Sequence, residues 1–335
     1  MLSLDFYKLL KIHQMIKSPK LKLFGVYVAN LLGMRHYSVR IDPALHCNLE
    51  CRMCYFSDPD WKKRYKGLLS VDEMKGIAKM LFPRALQVVV GCGAEPTIHK
   101  SFMTLIEEAN KYGVPNVSMV TNGLLLTEEQ LERLAQLKLK ELIISLHGVN
   151  KDTYEKMMTK GEHGKFIELM EMLKRLRAKY DYPKVRINYT VNKENLEELR
   201  DFFKVYGSYP IDVIQLRPVM DIGGVYSESI SELQKDAYNE IISAFKSQST
   251  SRDIKFLVNA KDVEYKEDNS NSDLISALYW YISPRIAEQL KLSWTSNDYK
   301  DYLKATQWRK SVRNSIFSFT KSQKSTDKFL KYEWV

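Results

Sequence analysis

The segment Ile41-Asp-Pro-Ala-Leu-His-Cys47-Asn-Leu-Glu-Cys51-Arg-Met-Cys54-Tyr-Phe56 contains three of the chain's four cysteines. It follows a short apolar run, Tyr37 to Ile41, that is typical of a β-strand. Thiolates at spacings of four and three residues on one loop converge on one metal centre. Soft sulfur ligands favour zinc, copper(I) or an iron–sulfur cluster. The segment therefore predicts a metal-binding loop directly after the first strand.

The number of available ligands separates these metals. A structural zinc site has four protein ligands, usually as two separated pairs, and the sequence has no second CxxC or HxxxH pair. Three cysteines on a 4Fe-4S cluster leave one iron without a protein ligand, so that another molecule can bind there. The spacing favours the cluster. A zinc site completed by Cys92 or a histidine is the alternative.

The CxxxCxxC spacing after the first strand resembles the signature of the radical S-adenosylmethionine (SAM) superfamily. The resemblance implies that Cys47, Cys51 and Cys54 bind a 4Fe-4S cluster, and that the open iron binds the amino and carboxylate groups of SAM. It also implies an enzyme that cleaves SAM reductively to a 5'-deoxyadenosyl radical, which abstracts hydrogen from a substrate.

A second motif, Gly91-Cys-Gly-Ala-Glu-Pro96, ends the second predicted strand. Glycines allow backbone to approach a ligand closely, and a carboxylate accepts hydrogen bonds from an ammonium group. The motif resembles the family's GGEP sequence, which binds the SAM amino group. By that match Gly93, Ala94, Glu95 and Pro96 contact SAM, with Ala94 in place of a glycine. The alternative is a strand-to-helix turn with a carboxylate at a helix N-terminus.

Four more residues complete the predicted cofactor site. Ligands of parallel α/β sheets bind at the carboxyl ends of the strands. By the resemblance, Asn122, Ser145 and Asn188 lie near SAM at the ends of the third, fourth and fifth predicted strands. Tyr55 is expected beside the adenine, because the family's usual aromatic residue is replaced by Met53. A simple turn at Asn122 and a loop anchor at Ser145 are the structural alternatives.

The substrate side is predicted from the later strands. Gln215 and Arg217 lie on the sixth predicted strand, with Asp221 just beyond. A guanidinium such as that of Arg217 suits an anionic or carboxylate-bearing substrate. His147, at the end of the fourth strand, is a further candidate for the substrate side.

Alternating apolar strands and amphipathic helices predict an α/β fold with a parallel sheet. Six βα units are too few for a closed eight-stranded barrel. The resemblance implies a partial (β/α)6 TIM-like barrel over residues 37–250. Residues 1–36 are predicted as basic amphipathic helices. Residues 251–335 are predicted as a basic, aromatic-rich and mostly helical extension, with an added strand at 254–258.

Two substrate classes stay open at this point. No cysteine follows Cys92, which excludes from this chain the cysteine-bound auxiliary clusters of the SPASM and twitch type found in many family members. That absence favours a small molecule or glycan precursor. The segment 295–313 distantly resembles the end of SPASM regions in peptide maturases, which favours a peptide or protein.

Composition limits the partners. The chain has 335 residues, 44% hydrophobic, and a net charge of +10. Residues 1–36 contribute +5 and residues 300–335 contribute +6, so the basic charge lies at the ends. No signal peptide or membrane-spanning run is visible, and cysteine usage fits a reducing compartment, so a cytoplasmic protein is expected.

The basic ends have three interpretations. The N-terminal helices cap the core or rest on an anionic membrane surface as a peripheral contact. Nucleic acid is not expected, because no recognition fold is present. The alternative to an enzyme is a non-catalytic zinc- or cluster-binding module that docks through these ends. For the enzyme, an electron donor such as flavodoxin or ferredoxin is the expected partner.

Overall fold

The computed structural model describes residues 15–219, 235–258 and 272–317. The predictions for residues 1–14, Asp221 and residues 318–335 lie outside these ranges. None of the helices in the described ranges is long and apolar enough to cross a bilayer.

Eight parallel strands form one sheet in the order β7-β6-β5-β4-β3-β2-β1-β8. Their bounds are β1 Tyr37–Ile41, β2 Ala85–Val90, β3 Asn116–Thr121, β4 Glu141–Leu146, β5 Lys184–Val191, β6 Val213–Pro218, β7 Lys255–Val258 and β8 Tyr279–Ile282. The predicted α/β fold with six consecutive core strands is confirmed. Successive strands are neighbours, so the carboxyl ends of β1–β6 meet along one edge.

Two further strands come from the extension beyond residue 250. Strand β7 is the added strand predicted there, and it pairs with β6. Strand β8, Tyr-Trp-Tyr-Ile, lies in a stretch predicted as mostly helical, and it pairs with β1 on the opposite side of the sheet. Its four residues are too few to show a strand period in sequence, although aromatic residues favour strands. The sheet therefore continues across the boundary predicted at residue 250.

Helices cover one face of the sheet. The helices are α1 Pro19–Leu31, α2 Pro59–Arg64, α3 Val71–Leu81, α4 Met103–Lys111, α5 Glu128–Gln136, α6 Lys151–Met157, α7 His163–Arg177, α8 Phe202–Tyr206, α9 Lys235–Thr250, α10 Ser272–Leu278, α11 Ile286–Leu290, α12 Tyr299–Ala305 and α13 Trp308–Phe317. Capping boxes begin α3, with Ser70 and Glu73, and α5, with Thr127 and Gln130. Such a cap is worth about 1 kcal/mol and fixes where the helix starts.

The two faces of the sheet differ in polarity because successive strand residues point to opposite sides. The outer face packs on the helices and is apolar and buried, as at Val39, Val88, Met119, Ile144, Ile187 and Ile214. The inner face carries polar side chains, including those of Ser38, Gln87, Ser118, Glu141, Arg186, Asn188 and Gln215. The hydrophobic core thus lies outside the sheet, and the inner face is left for polar contacts.

Candidate active site

The three clustered cysteines lie on the loop of residues 47–54, called here the cysteine loop, between β1 and α2. Its backbone is hydrogen-bonded to the last residue of α6 and to the segment that follows that helix. The Glu50 N–H donates to the Thr159 carbonyl at 2.9 Å, and the Arg52 N–H donates to the Met157 carbonyl at 3.0 Å. These bonds fix the loop at the carboxyl end of the sheet.

The thiols of Cys47, Cys51 and Cys54 are free and partly buried. Burial raises the pKa of Cys47 to about 12 and also raises the pKa of Cys51 and of Cys54. The thiols are therefore neutral until a metal binds and displaces their protons. The donor set of three soft sulfur atoms matches an iron–sulfur cluster.

Among the residues that the structure describes, no three His, Cys, Asp or Glu side chains form a group that could hold a metal ion. The preference for an iron–sulfur cluster over the alternative zinc site rests on the number and spacing of the cysteines.

Asp42 is a site residue that sequence analysis missed. It is fully buried directly after β1. Its Oδ1 accepts from the Cys92 N–H at 2.7 Å, and its Oδ2 accepts from the Gly93 N–H at 3.0 Å and from the Tyr281 hydroxyl at 2.7 Å. Burial raises the pKa of Asp42, and these donors oppose the rise. The carboxyl group thus fixes residues 91–96, the glycine loop, against β1 and β8.

Glu95 performs a similar task between the glycine loop and β3. It is 2% exposed. Its Oε1 accepts from the Thr97 and Thr121 hydroxyls at 2.5 and 2.7 Å, and its Oε2 accepts from the Asn122 N–H at 2.7 Å. Burial raises its pKa. Both carboxylate oxygens of Glu95 already accept hydrogen bonds from the chain itself. The predicted contact with an ammonium group therefore stays a prediction. Oε2, which accepts from only one donor, is the candidate atom for that contact.

The rest of the glycine loop is shaped by close packing. A Cβ atom on Gly93 would lie 2.6 Å from the Tyr55 hydroxyl and 3.1 Å from the Phe56 ring. Gly93 and Ala94 are partly buried, whereas Pro96 is buried and begins a short 3-10 turn. The structure therefore brings the predicted residues Gly93 and Tyr55 together. The backbone of Gly93 and Ala94 is partly buried, and the Gly93 N–H is bound to Asp42.

Asn122 joins the glycine loop to the cysteine loop. Its Nδ2 donates to Asn48 Oδ1 at 2.8 Å and lies 3.9 Å from Cys47 Sγ. The Glu95 N–H donates to the His46 carbonyl at 3.0 Å, which makes a second connection. The cysteine loop, the glycine loop and the turn at Asn122 are thus hydrogen-bonded into one unit.

The candidates on β4–β6 form a separate cluster on the inner face. Ser145, Asn188 and Gln215 occupy paired positions on these neighbouring strands. Arg186 Nε donates to Asn188 Oδ1 at 3.1 Å, and another nitrogen of Arg186 donates to Gln215 Oε1. Arg186 also pairs with Glu141 at 3.4 Å. The predicted SAM contacts of Ser145 and Asn188 remain predictions, and the Asn188 oxygen is already bound by Arg186.

Two candidates for the substrate side lie nearby. Arg217 is exposed at the end of β6 and donates to Gln215 Oε1 at 2.8 Å. His147 Nδ1 accepts from the Thr190 N–H at 3.3 Å. Burial lowers the pKa of His147 to about 4, so the ring is neutral at pH 7. An exposed cation and a neutral ring therefore stand at the carboxyl ends of β4–β6.

Comparison with known families decides the class of this arrangement. The model of the radical SAM superfamily matches residues 41–205, which include the cysteine loop, the glycine loop and β1–β5. The chain contains a radical SAM domain. Proteins of this superfamily use a 4Fe-4S cluster and SAM, and the matched residues include the three cysteines and the glycine loop.

Curated relatives resemble the radical SAM domain but are longer than the matched region. The GTP 3',8-cyclase of Alkaliphilus metalliredigens is 28% identical over 182 residues, which cover 53% of this chain and 55% of the relative. The probable GTP 3',8-cyclase of Saccharolobus solfataricus is 28% identical over 184 residues, covering 54% and 57%. The match thus spans little more than half the length of these relatives.

Solved structures share the fold. Streptococcus suis SuiB bound to SAM superposes with a TM-score of 0.58 at 17% identity, covering 75% of this chain and 59% of SuiB. SuiB bound to the precursor peptide SuiA gives 0.64 at 15% identity, covering 89% and 71%. The protein anSMEcpe with AdoMet and the Kp18Cys peptide gives 0.60 at 14%, covering 84% of each chain. At these identities the likeness shows the radical SAM fold alone.

Proposed function

We propose that this chain is a radical SAM enzyme that abstracts hydrogen from a small anionic substrate. The observation that carries the first part is the hydrogen-bonded unit of the cysteine loop, the glycine loop and the turn at Asn122. These are the segments assigned to the cluster and to SAM, and they are far apart in sequence. Their joining supports one shared cofactor site.

Each residue has a defined task in this proposal. Cys47, Cys51 and Cys54 hold the cluster. The backbone of Gly93 and Ala94 faces SAM, and Asp42 positions that backbone. When bound, the cluster supplies the electron that cleaves SAM, and SAM supplies the 5'-deoxyadenosyl radical. The surrounding protein excludes water, which would otherwise compete for reactive groups.

The substrate class is argued from the inner face of β4–β6. Arg217 is exposed there, and its planar guanidinium carries donors that match a carboxylate or a phosphate. The names of the curated relatives, GTP 3',8-cyclases, also favour an anionic small molecule. A phosphorylated or carboxylate-bearing metabolite is therefore the proposed substrate class.

An acidic electron donor, such as a flavodoxin or ferredoxin, is the proposed partner. Cations and carboxylates alternate around the outside of the cysteine loop, in the pairs Lys62–Glu50, Lys160–Glu50, Arg52–Glu194 and Lys156–Glu194. Four cations share two carboxylates, so this surface, the cationic collar, is positive. A positive surface accelerates association with an acidic protein. It also lies over the residues assigned to the cluster.

The test begins with anaerobic reconstitution. The proposal expects about four irons per chain with a broad visible absorbance, and 5'-deoxyadenosine formation with dithionite. One zinc per chain and no such absorbance would instead indicate the non-catalytic module. A panel of nucleotides, sugar phosphates and carboxylic acids, compared with peptides, then tests the substrate class. If only peptides accelerated 5'-deoxyadenosine formation, that result would contradict the proposal that the substrate is a small anionic molecule.

A further inference from the structure

Helix α1 is apolar on two opposite sides. Leu23 and Asn30 are 3% and 2% exposed, and they face the protein. The opposite side carries large apolar side chains that are half exposed or more, at Leu21 (57%), Phe24 (50%), Leu31 (56%) and Leu32 (68%). Their spacing of three, seven and one residues places them on one side of a helix. This outer stripe is the feature to be explained, since contiguous exposed apolar surface marks an interaction site.

The inner side of α1 is held in place by polar contacts. Asn30 Nδ2 donates to the Tyr299 hydroxyl at 2.7 Å, and Arg309 Nε donates to Asn30 Oδ1 at 3.2 Å. These bonds join α1 to α12 and α13. Because a buried amide left without partners is costly, the helix cannot roll to bury its outer stripe. The outer stripe faces away from the core as a fixed property of the fold.

The charge around the outer stripe is mostly positive. Lys20 and Lys22 flank the stripe on either side, since each lies about 100° around the helix from Leu21. The sequence has no Asp or Glu between Asp5 and Asp42. The adjacent helix α13 adds exposed Arg309, Lys310 and Arg313 and contains no acidic residue. The second helix that packs against α1, α10, carries one acidic residue, Asp273. Cations therefore predominate around the apolar stripe.

We propose that the outer stripe of α1 rests on an anionic phospholipid bilayer. The apolar side chains enter the boundary between headgroups and acyl chains, and the lysines extend to the headgroups. Cationic residues near a membrane surface each add to binding when the lipid is anionic. This inference does not depend on the proposed reaction.

The test uses the full chain and vesicles of phosphatidylcholine, with or without about 30% phosphatidylglycerol. We expect co-sedimentation with the anionic vesicles, little with the neutral ones, and weakening as salt is raised. The triple variant Leu21→Ser/Phe24→Ser/Leu31→Ser should lower the partition constant at least about tenfold. Its matched control is Leu68→Ser/Leu125→Ser/Val205→Ser, which removes exposed apolar side chains elsewhere and should bind as the parent does.

Three outcomes would overturn the proposal. The parent protein does not bind anionic vesicles, or the α1 variant binds them as well as the parent does. The third outcome is that the parent sediments as a dimer, does not bind vesicles, and becomes a monomer when the α1 substitutions are made. The stripe would then be an interface between two copies of the chain. Circular dichroism of the variants checks folding, and all the substituted side chains are solvent-exposed.

Discussion

At the carboxyl ends of β1–β3, buried carboxylates bind the backbone of the surrounding loops, whereas along the inner face of β4–β6 polar side chains bind one another. Asp42 and Glu95 each accept from backbone N–H groups of loops distant in sequence. Arg186 instead links Asn188, Gln215 and Glu141 through side chains alone. Loops held by bonds between buried carboxylates and backbone N–H groups are restricted in conformation, whereas partly buried side chains that bind one another can exchange these partners for a ligand. The first half therefore suits an invariant cofactor, and the second suits a substrate.

The largest expected effect on activity comes from a substitution in the cofactor site at β1–β3. Cys51→Ala should remove one of three cluster ligands and lower 5'-deoxyadenosine formation under dithionite at least about 100-fold. Iron content and visible absorbance should fall with it. Cys92→Ala is the matched control, because that cysteine has no assigned ligand role. Undiminished product from the Cys51 variant would show that the ligand assignment is wrong.

Gly93→Ala tests how closely SAM and the glycine loop are packed. The added Cβ would lie 2.6 Å from the Tyr55 hydroxyl, so either the loop or the ring must move. We expect SAM affinity to fall at least about tenfold in a titration of the reconstituted protein. The double variant Gly93→Ala/Tyr55→Phe removes the hydroxyl and should recover part of the loss. Equal affinity of all forms would show that this loop does not hold SAM.

Arg217→Gln should affect only substrate binding at the β4–β6 side of the site. The substrate KM should rise about tenfold, since one charged hydrogen-bonding partner is lost. Substrate-independent formation of 5'-deoxyadenosine should remain at the parent rate. Lys204→Gln, at an exposed position on α8, is the control. A fall in the substrate-independent rate would place Arg217 in the cofactor site instead.

Lys156→Glu tests the cationic collar. Reduction of the cluster by an acidic flavodoxin should slow several-fold at low salt, and the difference should shrink as salt is added. The rate of cluster reduction by photoreduced, uncharged deazariboflavin should be the same for the variant and the parent. Lys174→Glu, on α7, is the control for net charge. Equal rates with flavodoxin would place the donor on another surface.

The smallest effect concerns pH and His147. The unfolded ring binds a proton below its usual pKa of about 6.5, whereas the folded ring does so only below about 4. Between these values the unfolded state binds more protons, so the free energy of unfolding falls as pH is lowered. The contribution of His147 to the loss from pH 7 to pH 5 should be about 2 kcal/mol, measured by urea denaturation as the difference between the parent and His147→Asn. His147→Asn should show a smaller loss. His36, whose pKa burial also lowers to about 4, contributes in the same direction and remains in the variant.

Sequence reasoning predicted the parts of the fold that depend on local patterns. The six core strands follow from the local alternation of apolar strands and amphipathic helices. The cysteine spacing likewise identifies the family without any tertiary information. Asp42 was missed because its partners lie 50 residues away, at Cys92, and 239 residues away, at Tyr281. No local signal distinguishes such a carboxylate from an ordinary residue at a strand end.

The order of the residues alone identified the radical SAM family and predicted the cluster chemistry, because three cysteines at fixed short spacings lie on one loop. It also determined the α/β class, because apolar periodicity is local. Only the tertiary structure decided that Glu95 binds Thr121 and Asn122, that β8 continues the sheet beside β1, and that one side of α1 stays uncovered. Each of these depends on which distant segments pack together. That packing is set by burial of the whole outer face at once, and no short stretch of sequence encodes it.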